Sequence, residues 1–287
     1  MFAGIGIIVV LVMVFGAFVF SGGSIGVILH ALPVELTVIG GAAVGSTIVG
    51  NSGADLKALL GGFGKAFKGP KYNKKDFLDV IFLVSRLMKM LRVEGPIPLE
   101  PHVEDPKSSA IFAEFPKLLK DTTLVHLIAD TLRLVVVSSG TLDVHAVEEV
   151  VDNSIKTHHH ETLHPAGQLQ GLADALPALG IVAAVLGVVK TMGSIDKPPA
   201  ILGAMIGSAL VGTFLGVLLA YGLVGPFAHR AKQVIEADLA MYHTVKQIIV
   251  ASLYNHPIPL VIEAARSGIE HSNQPSFAEV FDGMRGR

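Results

Sequence analysis

The chain has 287 residues, of which 51% are hydrophobic and only 16% charged, against about a quarter charged in soluble domains. That balance points to a membrane protein, and a net charge of -2 gives no electrostatic basis for nucleic-acid binding. The absence of cysteine excludes disulfides and thiolate metal sites.

Charge is clustered along the chain. Residues 1 to 34 contain no Asp, Glu, Lys or Arg, whereas residues 55 to 161 are rich in them, so spans and a water-exposed domain share one polypeptide. Crossing a bilayer core takes roughly 20 apolar residues. The first such stretch, Phe2 to Phe20, lacks the basic n-region and cleavage site of a signal peptide and is expected to be retained. The second, Val34 to Gly50, is shorter and carries Glu35 at its edge, where a carboxylate is expected to be solvated at the interface.

The middle segment reads as helical. Asp76 to Met90 has an apolar face broken by Arg86 and Lys89, and Ala110 to Val137 keeps the helical period past Pro116. Between them, Gly95, Pro96, Pro98, Pro101 and Pro106 forbid a continuous helix and predict an exposed elbow. Ala146 to Leu163 predicts a further helix approaching a third span, Leu172 to Met192, with Asp174 near its start. A fourth span, Ala200 to Pro226, follows. The expected fold is all-α and integral to the membrane. Its predicted parts are two transmembrane helices in 1–50, a helical domain in 51–171, two more spans in 172–226 and a tail in 227–287.

Fourteen Lys and Arg residues lie in 51–171 and six beyond 226, but none in 21–33 and one in 193–199. The positive-inside rule places the middle domain, the tail and therefore both termini in the cytoplasm. The stretches SGGSIGVILHALP and GSIDKPP are left as short outward loops.

The predicted spans hold no carboxylate near mid-bilayer, although a membrane protein that moves protons usually keeps an acid in its spans. If this chain helps move ions, a partner must supply the acid. Small residues fall four apart at Gly41 and Gly45, Ala183 and Gly187, Gly203 and Gly207, and Gly212, Gly216 and Ala220. That spacing lets helix backbones approach, within one subunit or between subunits. Pro177 and Pro226 each remove a backbone hydrogen bond and allow a kink. Thr213 is a mid-span hydroxyl among small neighbours; the plainer expectation is a bond back to its own helix.

The run His158, His159, His160 with His164 has helical spacing but no obvious third ligand, so it weighs little as a metal site. No phosphate loop, nucleophile elbow or HExxH motif is present, and no enzymatic activity or cofactor is expected.

The segment ADALPALGIVAAVLGVVKTMGSIDKPPAILGAMIGSALVGTFLGVLLAYGLVGPFA resembles the third and fourth spans of the MotA family of flagellar stator proteins. The resemblance extends through FSGGSIGVI, GSTIVGN, RLMKMLRVEGPIPLE and QPSF, and covers the whole chain. It implies a homo-oligomer, expected to be a pentamer, in the bacterial inner membrane around a dimer of single-span MotB-like subunits. The partner would bring the missing aspartate and the wall anchor. Ion flow would turn the ring against the rotor protein FliG. Arg92 and Glu100 match the family's charged rotor-facing pair, Pro177 and Pro226 its coupling prolines, and Thr213 the threonine on the ion path. Sodium-driven relatives carry a second threonine where this chain has Ala184. Without that oxygen a hard cation loses a ligand, and the implied ion is the proton.

The nearest rival is an ExbB or TolQ-type energiser of outer-membrane processes, but those proteins usually have three spans. A transporter acting alone would need its own polar site or broken helix pairs, and a plain scaffold would have no use for Thr213 and both prolines.

Overall fold

The computed structural model describes residues 2–138 and 143–285. All regular elements among them are helical: α1 (Phe2–Phe20), α2 (Ile25–Gly50), α3 (Gly53–Lys68), α4 (Lys74–Val93), α5 (Pro96–Glu104), α6 (Ala110–Ala113), α7 (Pro116–Leu119), α8 (Thr122–Val137), α9 (Val144–Met192), α10 (Pro199–Val217), a π-helical turn Leu218–Val224, α11 (Gly225–Leu253), α12 (Ile258–Ser267) and α13 (Phe277–Arg285). Among the described residues, four continuous helical stretches are long and apolar enough to cross a membrane: Ala3–Phe20, Ile25–Gly50, Val144–Met192 and Pro199–Leu253.

The chain divides into two compact units. One comprises Met1–Gly69 with Leu163–Val234, the other Pro70–Thr162 with Ile235–Arg287. In the first unit, α2 packs along α10, and α1 touches α2 and the π turn. Its core is made of small and mid-sized residues: Ala31, Ile39, Ala43, Leu176, Ala183, Val211, Leu215 and Ala220. No residue of Ala3–Phe20 is buried within the chain. After α2, the Ser52 and Asp55 capping box starts α3, satisfying two otherwise orphaned backbone donors. α3 then sets Phe63 and Phe67 on the Phe227 ring, with centroids 5.8 and 4.9 Å apart.

The second unit has a conventional core of large aliphatic and aromatic side chains, among them Ile81, Leu83, Leu87, Leu99, Phe112, Leu118, Leu124, Ile128, Leu132 and Met241, all under 2% exposed. A second capping box, Asn73 with Asp76, opens α4. Lys246 is buried with its ammonium on Glu148 (2.9 Å) and Asp152 (2.8 Å).

Four local expectations are corrected. The second span begins at Ile25, not Val34, because α2 runs through Pro33; the predicted outward loop is mostly helix. The elbow is helical too. Pro96 and Pro98 lie in the first turn of α5, where a missing N–H costs nothing because those donors are unpaired anyway, and Leu99 and Val103 are fully buried. The bend itself is at Gly95, whose φ of 89° is a conformation that side chains with a Cβ rarely adopt. The stretch from Ala110 to Val137 breaks into three helices: Ser109 caps α6, Pro116 starts α7, and Asp121 caps α8 by accepting from the Leu124 amide. Finally, the fourth helix does not stop at Pro226 but continues through the π turn to Leu253.

Candidate ion path and charged face

The seam between α9 and α10 is built on glycine. A Cβ on Gly216 would stand 2.6 Å from the Leu176 carbonyl oxygen and 2.9 Å from the Gly180 Cα, and one on Gly180 would stand 2.8 Å from the Gly212 oxygen. These are backbone atoms that cannot step aside, so the two helices touch main chain to main chain. Further along, Gly187 meets Ala209, whose Cβ lies 2.6 Å from the position a Cβ would take. The four-apart pattern is therefore divided. Gly180, Gly187, Gly212 and Gly216 are consumed by packing inside the chain, while Gly41, Gly45 and Gly203 have nothing within 4 Å.

Ala184 and Thr213 are half-buried and lie on the two sides of this seam. The Thr213 hydroxyl makes no hydrogen bond to any described residue. By contrast, Thr37, Thr47 and Thr191 all donate to the carbonyl four residues back. The expected back-bond is thus absent at the one position where the resemblance places an ion-facing hydroxyl.

Glu35 is where sequence reasoning failed. With α2 starting at Ile25, it lies ten residues inside the helix and is only 6% exposed. Its Oε2 is buried without a hydrogen-bond partner and occupies the space left by the missing side chain of Gly212, 2.5 Å from where a Cβ would be. The Ala184 amide nitrogen and the Ala183 Cβ approach that same point to 3.1 Å. Three elements thus bring Glu35, Ala184 and the Gly212–Thr213 step together. A signal for the early helix start was present: Ile25, Val27, Ile28 and Leu29 are apolar, and only His30 and Pro33 interrupt the stretch before Glu35.

The two prolines are accommodated differently. Pro177 is inside α9, which also passes Pro165 without ending. Pro226 is the second residue of α11, directly after the π turn, in which the Gly225 amide donates to the Ala220 carbonyl five residues back. A proline ring clashes with the carbonyl four residues earlier in a regular α-helix; the wider turn precedes Pro226 where that clash would fall. Pro177 is half-buried and Pro226 exposed. Asp174 is exposed and accepts from Gln170 at 2.8 Å.

In the second unit, Arg92 sits in the last turn of α4 and Glu100 on α5. Both are exposed, and neither has an ion-pair or hydrogen-bond partner among the described residues. Between them Val93 and Ile97 are 74% and 79% exposed, an apolar strip flanked by unpaired charges. Arg92 also lines a cavity of about 670 Å³ with Phe82, Met88, Lys89, Ile258 and Val261, a space that Glu100 does not reach.

The histidine run is dispersed. His158 lies against the Tyr242 ring at 4.5 Å, His159 has a buried Nε2 without a partner, and His164 Nδ1 is 3.4 Å from Asp55. No cluster of three metal-ligating side chains occurs among the described residues. Burial, and then the Lys246 ammonium, hold nearby His243 below its ordinary imidazole value. Burial works against the charge of Lys246, but its bonds to Asp152 and Glu148 outweigh it and raise Lys246 above the usual range.

Residues 4–95 match the Motility protein A N-terminal family and residues 120–244 the MotA/TolQ/ExbB proton channel family. Motility protein A of Escherichia coli is 41% identical over 281 residues, covering 98% of this chain and 94% of the relative. That of Salmonella typhimurium is 40% identical over the same shares. The fold matches a solved structure of Campylobacter jejuni MotAB with a TM-score of 0.73 at 15% identity, over 94% of this chain and 95% of the other. Near full-length identity of this degree, on a chain with four apolar helices and a glycine-built α9–α10 seam, establishes that it belongs to the motility protein A family.

Proposed function

We propose that this chain is the ring-forming stator subunit of a bacterial flagellar motor, converting ion flow into torque. The observation that carries the proposal is 40–41% identity to two motility proteins over 98% of the chain, which favours a stator over an ExbB or TolQ-type energiser. The ring would be a pentamer around two MotB-like single-span subunits in the inner membrane. Both termini, residues 51–171 and the tail 227–287 would be cytoplasmic, in keeping with the Lys and Arg bias.

The translocated ion is the proton. Ala184 offers no side-chain oxygen, and Thr213 alone leaves too few ligands for a desolvated sodium ion. Thr213, with a hydroxyl free of its own helix, lines the path; Pro177 and Pro226 let α9 and the α10–α11 helix flex as ions pass. Arg92 and Glu100, exposed and unpaired, face FliG, where charge orients a partner more than it adds affinity.

The test is complementation. Expressed with its cognate single-span partner in Escherichia coli lacking its own stator, the chain should restore swimming that persists in sodium-free medium. Failure to swim despite normal membrane levels of both proteins would overturn the stator assignment. Loss of swimming on sodium removal at constant proton-motive force would overturn the proton assignment alone.

A further inference from the structure

The spans contain an acid after all, and its surroundings are unusual. Ten residues into α2, at a rise of about 1.5 Å each, Glu35 lies roughly 15 Å from the start of the helix. The helices around it supply no counter-charge. α1 and α10 contain no Asp, Glu, Lys, Arg or His. On α2 the other titratable group is His30, which is exposed. In the span part of α9 there are Asp174 and Lys190, both exposed. A bare carboxylate in such a place is strongly disfavoured, and a side chain that merely filled space would not need to be an acid. Gly212 gives the carboxyl its room, on the seam that also holds Ala184 and the unbonded Thr213.

We propose that Glu35 is a proton-binding residue of the ring subunit, lodged at the α2–α9–α10 junction beside Gly212 and exchanging its proton with water in the ion path. The inference rests on the stator reading. In the packing described here the carboxyl holds its proton. When α9 and α10 separate at the Gly212–Thr213 step, the carboxyl O–H breaks, the proton passes to water as hydronium, and the carboxylate takes a proton from another hydronium on the path, releasing water, before the seam closes again. The subunit thereby couples its own helix packing to protonation, independently of the acid brought by the partner.

The test uses the complete complex of this chain with its single-span partner in liposomes. Glu35→Gln keeps the shape and removes the titrating proton. It should assemble normally, and proton flux should fall by about a hundredfold or more, the scale on which a positioned proton-transfer group acts. Glu35→Asp should recover part of the flux with a displaced pH profile. Flux and pH profile of Glu35→Gln equal to the parent would overturn the proposal. A parent complex that conducts no protons would instead sink the stator reading. Should Glu35→Gln fail to assemble, the parent decides: an apolar carbodiimide, which attacks protonated carboxyls in apolar sites, should modify Glu35 in peptide maps, more strongly at lower pH. Absence of that adduct at every pH would overturn the proposal.

Discussion

The two units bury their residues by opposite means. The unit of Pro70–Thr162 and Ile235–Arg287 fills its interior with Leu, Ile, Phe and Met and turns most of its charges outward, as water-soluble domains do, while the buried Asp76, Asp121 and Lys246 are each ion-paired. The unit of Met1–Gly69 and Leu163–Val234 brings glycines and alanines together and leaves long aliphatic side chains outside: Ile8, Val12, Met13, Val185, Val189 and Leu210 are each more than half exposed. In lipid, apolar burial does not drive helix association, so close backbone packing must hold the spans together. A stretch of chain thus reveals its solvent by which residues it hides.

The contrast can be broken most severely at the glycine seam. Gly216→Val sets a branched side chain against the Leu176 carbonyl and the Gly180 Cα, and should abolish membrane accumulation and motility, read by immunoblot and swimming assay. Gly41→Val, on a face with nothing within 4 Å, should leave subunit accumulation intact. If the two variants accumulate alike, packing in this unit does not depend on close backbone approach.

A core truncation should be milder. Leu99→Ala removes a fully buried side chain between α5 and the rest of its unit and should cost about 2–5 kcal/mol, seen as a lower thermal midpoint of the full protein in nanodiscs. A shift within error would mean that α5 is not part of the core.

Arg92→Glu should change stability by no more than about 0.5 kcal/mol, as is usual for exposed surface positions, while cutting torque. A compensating reversal in FliG should restore part of the torque. If the variant instead fails to accumulate, Arg92 is structural.

The smallest effect is expected at the C-terminal helix. Glu279 is held near pH 2, from an ordinary value of 4.5, first by its hydrogen bond to Lys74, then by the Ser276 amide and hydroxyl. Because the folded value is depressed, its contribution to docking α13 is present above about pH 4.5 and lost as pH falls toward about 2. Hydrogen exchange in Phe277–Arg285 should speed up over that window. Lys74→Ala should weaken the pH dependence, and an unchanged profile would show that the ion pair contributes nothing.

The legible parts of the fold were those that solvent composition dictates. Four apolar stretches, and a helical middle domain, follow from hydropathy and period alone, and the third span ends at Met192 as expected because GSIDKPP cannot continue a helix. Much of what went unread turned on proline: the period was expected to pass Pro116, where the chain in fact breaks into separate helices, while other prolines end nothing. Pro33 and Pro165 stand inside long helices, Pro96 and Pro98 open one, and Pro226 follows a widened turn. Tertiary packing supplies the compensation in each case, and no local pattern announces it. At the candidate site, the roles given to Thr213, Ala184, Pro177, Pro226, Arg92 and Glu100 are proposals, but the residues could be named from motif resemblance. Glu35 could not, since its burial depends on Gly212, 177 positions away, providing the space.

The π turn Leu218–Val224 has a consequence for register. A turn of this kind carries one residue more than an α-helical turn, and one residue corresponds to about 100° of rotation in the α-helix that follows. Deleting a single residue from LLAYGLV would let the segment relax into uniform α-helix, leaving its length nearly unchanged. The helix after it would keep nearly the same orientation, whereas regularising the turn without removing a residue would rotate buried Ala228, Ala231 and Val234 away from the interior. The wide turn thus absorbs one extra residue without changing which side of the helix immediately after it is buried.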